Sequence, residues 1–359
     1  MRKINTSELT PGMVLSTDVY NYNDQLILPV GLVLTDKAIM KLAFYSILFV
    51  YIQDQESSPY PPKPVVTENS YSQRLMGSPE FKKYRRDFED TVSIMHNTLN
   101  DIVRRNEPFD THSLVQQALQ IIHPENSEIN FFDMIHNMRN YDDLTYAHSL
   151  NVGLICNVFA EWLGLSKEEC QHALLCGLLH DIGKLKIPDT IIKKPAKLTD
   201  SEYQVIKTHP VEGYKILQAC RCDLHVCNAA LMHHERCDGS GYPLGIDGSR
   251  IDFYAKIVAI ADVYEAMTAL RIYRGPLCPF QVISAFENEG LQKYDAKMIM
   301  TFLENIVNTY MLNRVRLSNG LEGDIIFINK QALSRPTIKC GSEYIDLSKR
   351  PELSIVSIV

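Results

Sequence analysis

The sequence predicts a multidomain chain in which an all-α central domain lies between a small mixed α/β N-terminal domain and a small β C-terminal module. Three observations indicate this arrangement. The 359 residues are enough for two or three domains. The hydrophobic pattern takes a helical period near residue 79 and returns to short β-like runs after residue 313. A proline-rich polar stretch precedes the helical part.

The N-terminal domain is predicted to span residues 1–56. A Pro11-Gly12 turn signal opens a set of short alternating runs, which is typical of a small mixed fold. The predicted elements are strands at 13–19, 26–33 and 47–52 and a helix at 35–42. We expect residues 57–78 to form a linker, because their proline and polar residues favour an extended chain without a core.

The central domain is predicted to span residues 79–313. Its first helix carries apolar residues at alternating spacings of four and three, from Phe88 to Ile102, so one face of the helix is apolar. The other predicted helices cover residues 149–163, 167–181, 200–220, 227–235, 253–270 and 297–313. From residue 314 to 359 the pattern predicts strands at 315–317, 324–329 and 337–339.

Charge and hydropathy exclude several classes of function. The chain has 36 basic and 43 acidic side chains, a formal charge of −7, so we do not expect it to bind polymeric nucleic acid over a wide surface. This balance still allows a small basic pocket for one phosphorylated ligand. No apolar run is long enough to span a bilayer. The sequence therefore predicts a cytoplasmic protein that does not associate with a membrane.

The nine cysteines indicate free thiols rather than a disulfide framework, because their number is odd and the chain is large. Four of them lie close together in the sequence, at Cys220, Cys222, Cys227 and Cys237. A zinc site is the alternative interpretation of this group. Its spacing does not fit paired CxxC motifs, so buried or incidental thiols are the preferred interpretation.

Histidines and carboxylates form the most informative pattern. Asp181 follows His180 at the end of an apolar run, and Asp262 lies inside another. A carboxylate in apolar surroundings is costly unless it is paired or binds a metal. A single such residue is usually a hydrogen-bonded core residue, but several on successive helices fit a metal site better. Imidazoles with carboxylates suit iron, manganese, zinc or nickel. Two neighbouring ions would suit displacement at phosphorus.

Residues 141–274 resemble the HD-GYP family of the HD phosphohydrolase superfamily. An HD pair alone would be weak evidence, whereas an ordered series of motifs over this length is specific. The series comprises TYAHS around His148, LLHDIGK at 178–184, KTHPVEGYKIL around His209, MHHERCDGSGYPLG at 232–245 and ADVYEAMTALRIYR at 261–274. Two positions depart from the usual family pattern, Ala196 in KPAKLT and Ile272 in RIYR, and neither is a metal-ligand position.

The resemblance implies an all-helical HD-type catalytic domain that degrades cyclic di-GMP with two divalent ions, iron or manganese. It implies that His148, His180, Asp181 and Asp262 hold one ion, and that Asp181 bridges to a second ion. The implied ligands of the second ion are His209, His233 and His234. Some members hold a third ion with a glutamate four residues before the first histidine, but this chain has Leu144 there. We therefore expect two ions.

The resemblance also implies substrate contacts. Lys184, the last residue of HDIGK, corresponds to a phosphate-contacting lysine, so Asp181 and Lys184 are the predicted catalytic residues. Arg271 and Arg274 would also grip substrate phosphates, and surface solubility is their alternative role. The GYP loop, formed by Gly239, Gly241, Tyr242 and Pro243, would shape the site or serve as a docking surface for signalling proteins. A homodimer is also left open.

The predicted activity is hydrolysis of cyclic di-GMP to linear pGpG, to GMP or to both, by a water that two metals activate. One alternative is an HD-type hydrolase of another cyclic dinucleotide, such as a hybrid cyclic GMP–AMP. The other is a regulator that binds cyclic di-GMP without turnover. Loss of metal ligands would indicate the regulator, and every ligand position is filled here.

Overall fold

The structure is a computed structural model, and it falls into two compact units. One unit comprises residues 1–70 with 269–277, and the other comprises residues 71–268 with 278–359. The structure describes residues 2–6, 9–10, 12–20, 26–34, 38, 42, 47, 49–53, 75–121, 131–138, 144–192, 194, 199–269 and 277–359. Most of the predicted linker and of the predicted helix at 35–42 lies outside these residues.

The N-terminal unit contains two small antiparallel pairs of strands. Strand β1 (Arg2–Asn5) pairs with β4 (Phe49–Ile52), and β2 (Val19–Tyr20) pairs with β3 (Leu26–Leu28). The predicted strand at 13–19 is a strand only at its end, because Val14 and Leu15 form isolated bridges instead. Leu15 and Leu42 are fully buried in the core of this unit.

The larger unit is mostly helical, and its helices carry the candidate site. They are α1 (Pro79–Arg105), α2 (Thr111–Leu119), α3 (Phe131–Asn137), α4 (Leu144–Trp162), α5 (Lys167–Leu179), α6 (Asp189–Ile192), α7 (Asp200–Ile206), α8 (His209–Ala219), α9 (Leu224–Met232), α10 (Phe253–Thr268), α11 (Pro279–Ala285), α12 (Leu291–Lys293) and α13 (Ala296–Asn308). A 3₁₀ turn, Ile182–Lys186, follows α5. No helix in the described part of the chain is long and apolar enough to cross a membrane.

The prediction of one helix over residues 200–220 was wrong, because α7 ends at Ile206 and α8 begins at His209. Pro210 explains the break. Proline has no backbone N–H and is tolerated in the first turn of a helix but not in its interior. The break places His209 at the start of α8, where the helix packs against the 3₁₀ turn that follows His180 and Asp181.

Helices α4 and α5 pack closely because glycines meet where they cross. A Cβ added to Gly177 would lie 2.6 Å from the Cα of Gly153, so neither position has room for a side chain. Phe302 of α13 links α10 to α4 by aromatic packing. Its ring centroid lies 5.2 Å from that of Tyr264 on α10 and 5.0 Å from that of Phe159 on α4. These contacts fix the helices that carry His148, His180 and Asp262.

The C-terminal residues form one antiparallel sheet with the strand order β8-β7-β6-β5-β9. Strands β5 (Arg314–Leu317), β6 (Glu322–Phe327) and β7 (Thr337–Cys340) were predicted, whereas β8 (Glu343–Asp346) and β9 (Ile355–Ile358) were missed. The two missed strands are the edges of the sheet. An edge strand such as β8 exposes Glu343 and Tyr344, which removes the alternating apolar pattern.

The sheet lies in the same compact unit as the helices. The Glu287 carboxylate accepts hydrogen bonds from the Leu333 and Ser334 backbone N–H groups at 2.5 and 3.3 Å, and from the Ser334 hydroxyl. A domain boundary at residue 313 therefore remains a prediction.

Candidate metal centre

The structure brings the seven predicted metal ligands together in the buried interior of the larger unit. Helix α4 contributes one histidine, the ends of α5 and α9 contribute three histidines and an aspartate, and α8 and α10 contribute one residue each. The residues are His148, His180, Asp181, His209, His233, His234 and Asp262. Six of them are buried, and His234 is half-buried.

The ligand atoms form three overlapping groups, of which the group His180, Asp181 and His233 joins the other two. His148, His180 and Asp262 each offer one atom within 4.8 Å of the others, and His209, His233 and His234 do the same. In the first group, His148 Nε2 lies 3.2 Å from an Asp262 oxygen. These two groups match the two ligand sets that the resemblance implies, but the assignment of these residues as ligands remains a prediction.

Asp181 lies between the two groups, and its two oxygens face different histidines. Oδ1 is 3.3 Å from His209 Nε2 and 3.7 Å from His233 Nε2. Oδ2 is 3.5 Å from His148 Nε2 and 3.3 Å from His180 Nε2. One carboxylate with this placement can contact a cation on each side.

The tautomers of the histidines can be inferred from their outer contacts. The Nδ1 atoms of His180, His209 and His233 lie 2.7, 2.7 and 2.9 Å from backbone carbonyl oxygens. A carbonyl only accepts, so each Nδ1 carries the proton and each Nε2 presents a lone pair. These lone pairs converge on the interior of the site.

The converging atoms fit a cation. His209 Nε2 and His233 Nε2 are 3.2 Å apart, so two lone pairs face each other. Within the described ranges, His180 Nε2 and Asp181 Oδ1 are buried without a hydrogen-bond partner. A buried polar atom without a partner is costly, and a divalent ion would satisfy these atoms. The nitrogen and oxygen donors fit a metal centre of the predicted kind.

The charge states also suit metal binding. Burial lowers the pKa of His209 to about 4 and that of His234 to about 3, so both imidazoles are neutral at neutral pH. Burial opposes ionisation of Asp181, but the charges and hydrogen bonds around it, the Lys184 ammonium among them, outweigh burial and hold the pKa of Asp181 well below its usual value. Neutral imidazoles and an ionised carboxylate are the forms that bind metals.

Comparison with known proteins identifies this region. The HD domain family matches residues 130–298, which contain all seven predicted ligands. Residues 130–298 form an HD domain. The match confirms that the chain resembles the HD-GYP family, because curated relatives of the chain are named cyclic di-GMP phosphodiesterases.

The chain is similar to two curated relatives and to one solved structure. A 3′3′-cGAMP-specific phosphodiesterase of Vibrio cholerae is 39% identical over 47% of this chain and 39% of its own length. A cyclic di-GMP phosphodiesterase of Pseudomonas aeruginosa is 35% identical over 56% of this chain and 49% of its own length. An HDG"Y"P protein from Bdellovibrio bacteriovorus has a TM-score of 0.46 and 18% identity over 85% of this chain and 99% of its own. The chain spans less than half the length of these two relatives.

The HD domain contains a further buried carboxylate that the sequence analysis missed. His148 Nδ1 donates to Glu265 Oε2 at 2.5 Å, and Asn151 Nδ2 donates to Glu265 Oε1 at 3.2 Å. Glu265 therefore holds the imidazole of His148 with Nε2 towards the site, as carboxylates commonly do behind metal-binding histidines. A signal existed in the sequence, because Glu265 lies one helical turn after Asp262 in the same apolar run.

Replacing Glu265 with alanine is expected to weaken metal binding about 10- to 100-fold, because His148 loses the acceptor that orients it. Competition with a chelator, followed by elemental analysis, measures this affinity. Glu265→Gln keeps an acceptor without the charge and should retain more of the affinity. Wild-type affinity in the alanine variant would show that Glu265 does not position His148.

The other predicted site residues have different outcomes. Lys184 lies beside the centre, a quarter exposed, and its ammonium donates to Asp181 Oδ2. Arg271 and Arg274 lie outside the described residues.

All nine cysteines are free thiols, and no described group of potential metal ligands includes any of them.

The GYP loop lies against the metal centre. The Tyr242 ring stacks on the His234 ring, with centroids 4.6 Å apart and planes at 26°. Glu235, 2% exposed, holds the loop by accepting backbone N–H groups of Leu244, Gly245 and Ile246 at 2.6, 3.3 and 3.2 Å. Glu235 was not among the predicted site residues, although it directly follows the two histidines.

Proposed function

We propose that this chain is a metal-dependent phosphodiesterase that hydrolyses cyclic di-GMP to linear pGpG, to GMP or to both. The observation that supports this most is the position of Asp181, whose two oxygens face two separate groups of histidine nitrogens. Two relatives of the chain are named as phosphodiesterases of 3′3′-cGAMP and of cyclic di-GMP.

Each part of the centre has a role in this reaction. Two divalent ions held there would supply Lewis acidity towards the phosphate and would lower the pKa of an attacking water. Asp181 fixes the two groups of predicted ligands relative to each other. Lys184 neutralises charge on the phosphate that is cut, and Arg271 and Arg274 contact substrate phosphate as well. The closely packed helices keep the ligands in place before substrate binds.

Lys184→Ala is expected to lower kcat/KM for cyclic di-GMP by about one to two orders of magnitude, because a charge-assisted contact with phosphate is lost. Metal content should stay unchanged. Lys186→Ala is the matched control, because Lys186 lies in the same 3₁₀ turn and is exposed. Equal kinetics in Lys184→Ala and the wild type would show that phosphate is held elsewhere.

We propose iron or manganese as the physiological metal, because the resemblance to the HD-GYP family implies one of them and the imidazole and carboxylate donors, without thiolates, suit both. Protein purified without oxygen and without added metal should contain one or both of these elements. Elemental analysis with activity measurements on the same preparation provides the test. Stoichiometric zinc with full activity, unchanged by added iron or manganese, would contradict the assignment.

A hybrid cyclic GMP–AMP is the second candidate substrate. The observation that favours it is the 39% identity to a relative named as specific for 3′3′-cGAMP. A regulator without turnover is less favoured, because all seven ligand positions are filled and the structure brings them together.

A hydrolysis assay tests the proposal. Purified, metal-loaded protein is incubated with cyclic di-GMP, 3′3′-cGAMP and cyclic di-AMP, and products are separated by chromatography. Fastest turnover of cyclic di-GMP to pGpG or GMP is the expected result. Faster turnover of 3′3′-cGAMP would change the assigned substrate and leave the assigned reaction unchanged. Binding without hydrolysis in all metal forms would overturn the enzyme assignment.

A further inference from the structure

A lysine beside the metal centre lies over two tyrosine rings. The Lys207 ammonium is 5.2 Å from the ring centroid of Tyr203 and 5.1 Å from that of Tyr242. Both distances lie within the range of a cation–π contact. Lys207 lies in the break between α7 and α8, two residues before His209.

This group of three side chains, Tyr203, Lys207 and Tyr242, is continuous with the metal centre. The Tyr242 ring stacks on His234 and also contacts Lys207. Glu235 fixes the loop that carries Tyr242, so this ring has a defined place. At the outer end, the Tyr203 side chain is 46% exposed, which leaves the group open to a ligand from solvent.

The ammonium of Lys207 has no ion pair with any residue in the described ranges. Neighbouring lysines differ in this respect, because Lys184 pairs with Asp181, Lys194 with Glu202 and Lys215 with Glu212. An aromatic face attracts a cation but does not accept a hydrogen bond as an anion does. The three N–H donors of Lys207 therefore stay available for hydrogen bonds. Such a half-buried cation in an acidic chain suits an anionic ligand.

We propose that Lys207 binds the phosphate of the cyclic dinucleotide that is not being cut, and that Tyr203 and Tyr242 position its ammonium. This inference rests on the proposed function. A cyclic dinucleotide carries two phosphodiesters. Asp181 and Lys184 serve the one that is cut, and Arg271 and Arg274 lie outside the described residues, so Lys207 is a described cation that is available to the other phosphate. Lys207 and the predicted ligand His234 both contact the Tyr242 ring, which places Lys207 beside the centre and within the same site.

The test compares a substrate with two phosphates and one with a single phosphate. Lys207→Met is assayed on the cyclic dinucleotide that the wild type hydrolyses fastest and on bis(p-nitrophenyl) phosphate. For the cyclic dinucleotide, KM should rise about 10- to 100-fold, since a charge-assisted contact is lost. The efficiency towards the single-phosphate ester should fall by far less, so the ratio of the two efficiencies should fall about tenfold or more.

Three variants serve as comparisons. Lys207→Arg keeps the charge and the aromatic contacts and should restore most of the affinity. Tyr203→Leu should raise KM in the same direction by a smaller factor, with kcat retained. Lys215→Met, which removes an exposed lysine on α8, should match the wild type. Circular dichroism checks that each variant folds.

An equal loss on both substrates in Lys207→Met would overturn the proposal, since Lys207 would then act on the centre as a whole. An unchanged KM for the cyclic dinucleotide would also overturn it. Failure of the proposed function gives a different result, because the wild type itself would then cleave bis(p-nitrophenyl) phosphate but no cyclic dinucleotide. That result would mean that the substrate is not a cyclic dinucleotide, so Lys207 would have no second phosphate to bind.

Discussion

Asp181→Ala is expected to abolish hydrolysis of cyclic di-GMP and to lower bound metal substantially. The reason is that Asp181 Oδ1 faces His209 and His233 while Oδ2 faces His148 and His180, so its loss separates the two halves of the centre. Product formation, elemental analysis and far-ultraviolet circular dichroism are measured together. The helical spectrum should persist, because α5 and the helices around it keep their apolar contacts.

Asp189→Ala is the matched control, because Asp189 lies eight residues further along the chain, at the exposed start of α6. It should retain wild-type turnover and metal content. Turnover by Asp181→Ala at the wild-type rate would show that the reaction does not depend on a shared carboxylate.

Gly183→Ala is expected to destabilise the HD domain and to displace His209. A Cβ at Gly183 would lie 1.9 Å from the His209 carbonyl oxygen and 2.5 Å from the Gly213 backbone nitrogen. Backbone atoms cannot move aside as a side chain can, so α8 must shift away from the 3₁₀ turn. Overpacking of this kind costs about 3 kcal/mol or more of the free energy of unfolding. Urea denaturation measures that cost, and elemental analysis measures the loss of metal.

Gly213→Ala is a matched control on the opposite side of the same contact. A Cβ at Gly213 would lie 3.4 Å from the Ala230 Cβ and 3.4 Å from the Gly183 nitrogen, which requires only a small adjustment. Its free energy of unfolding should stay within about 1 kcal/mol of the wild type. A Gly183→Ala variant as stable as Gly213→Ala, with full metal content, would contradict the close packing of α8 on this turn.

The helical nature of the central domain could be predicted from the sequence because its apolar residues recur at helical spacing over long stretches. The gathering of the seven predicted ligands could not be derived from spacing alone, since His148 and Asp262 are 114 residues apart. It followed from the resemblance to a family with ordered motifs. The break at Pro210 had a local signal, and treating residues 200–220 as one helix overlooked it.

Contacts that depend on tertiary structure were beyond the sequence. The pairing of Glu265 with His148 joins α10 to α4, and the aromatic contacts of Lys207 join α7 to the GYP loop. Neither leaves a periodic pattern that marks its partner. Strand β8 was missed for a different reason, since its exposed residues weaken the alternation that identifies a strand.

Anomalous scattering on crystals grown with manganese tests most directly whether Asp181 joins two metal subsites. We expect two peaks, one among His148, His180 and Asp262 and the other among His209, His233 and His234, with the Asp181 carboxylate contacting both. Leu144 offers no ligand atom, so no third peak with protein ligands is expected beside His148. A single peak, or a third peak held by protein atoms beside His148, would contradict a two-metal centre built on Asp181.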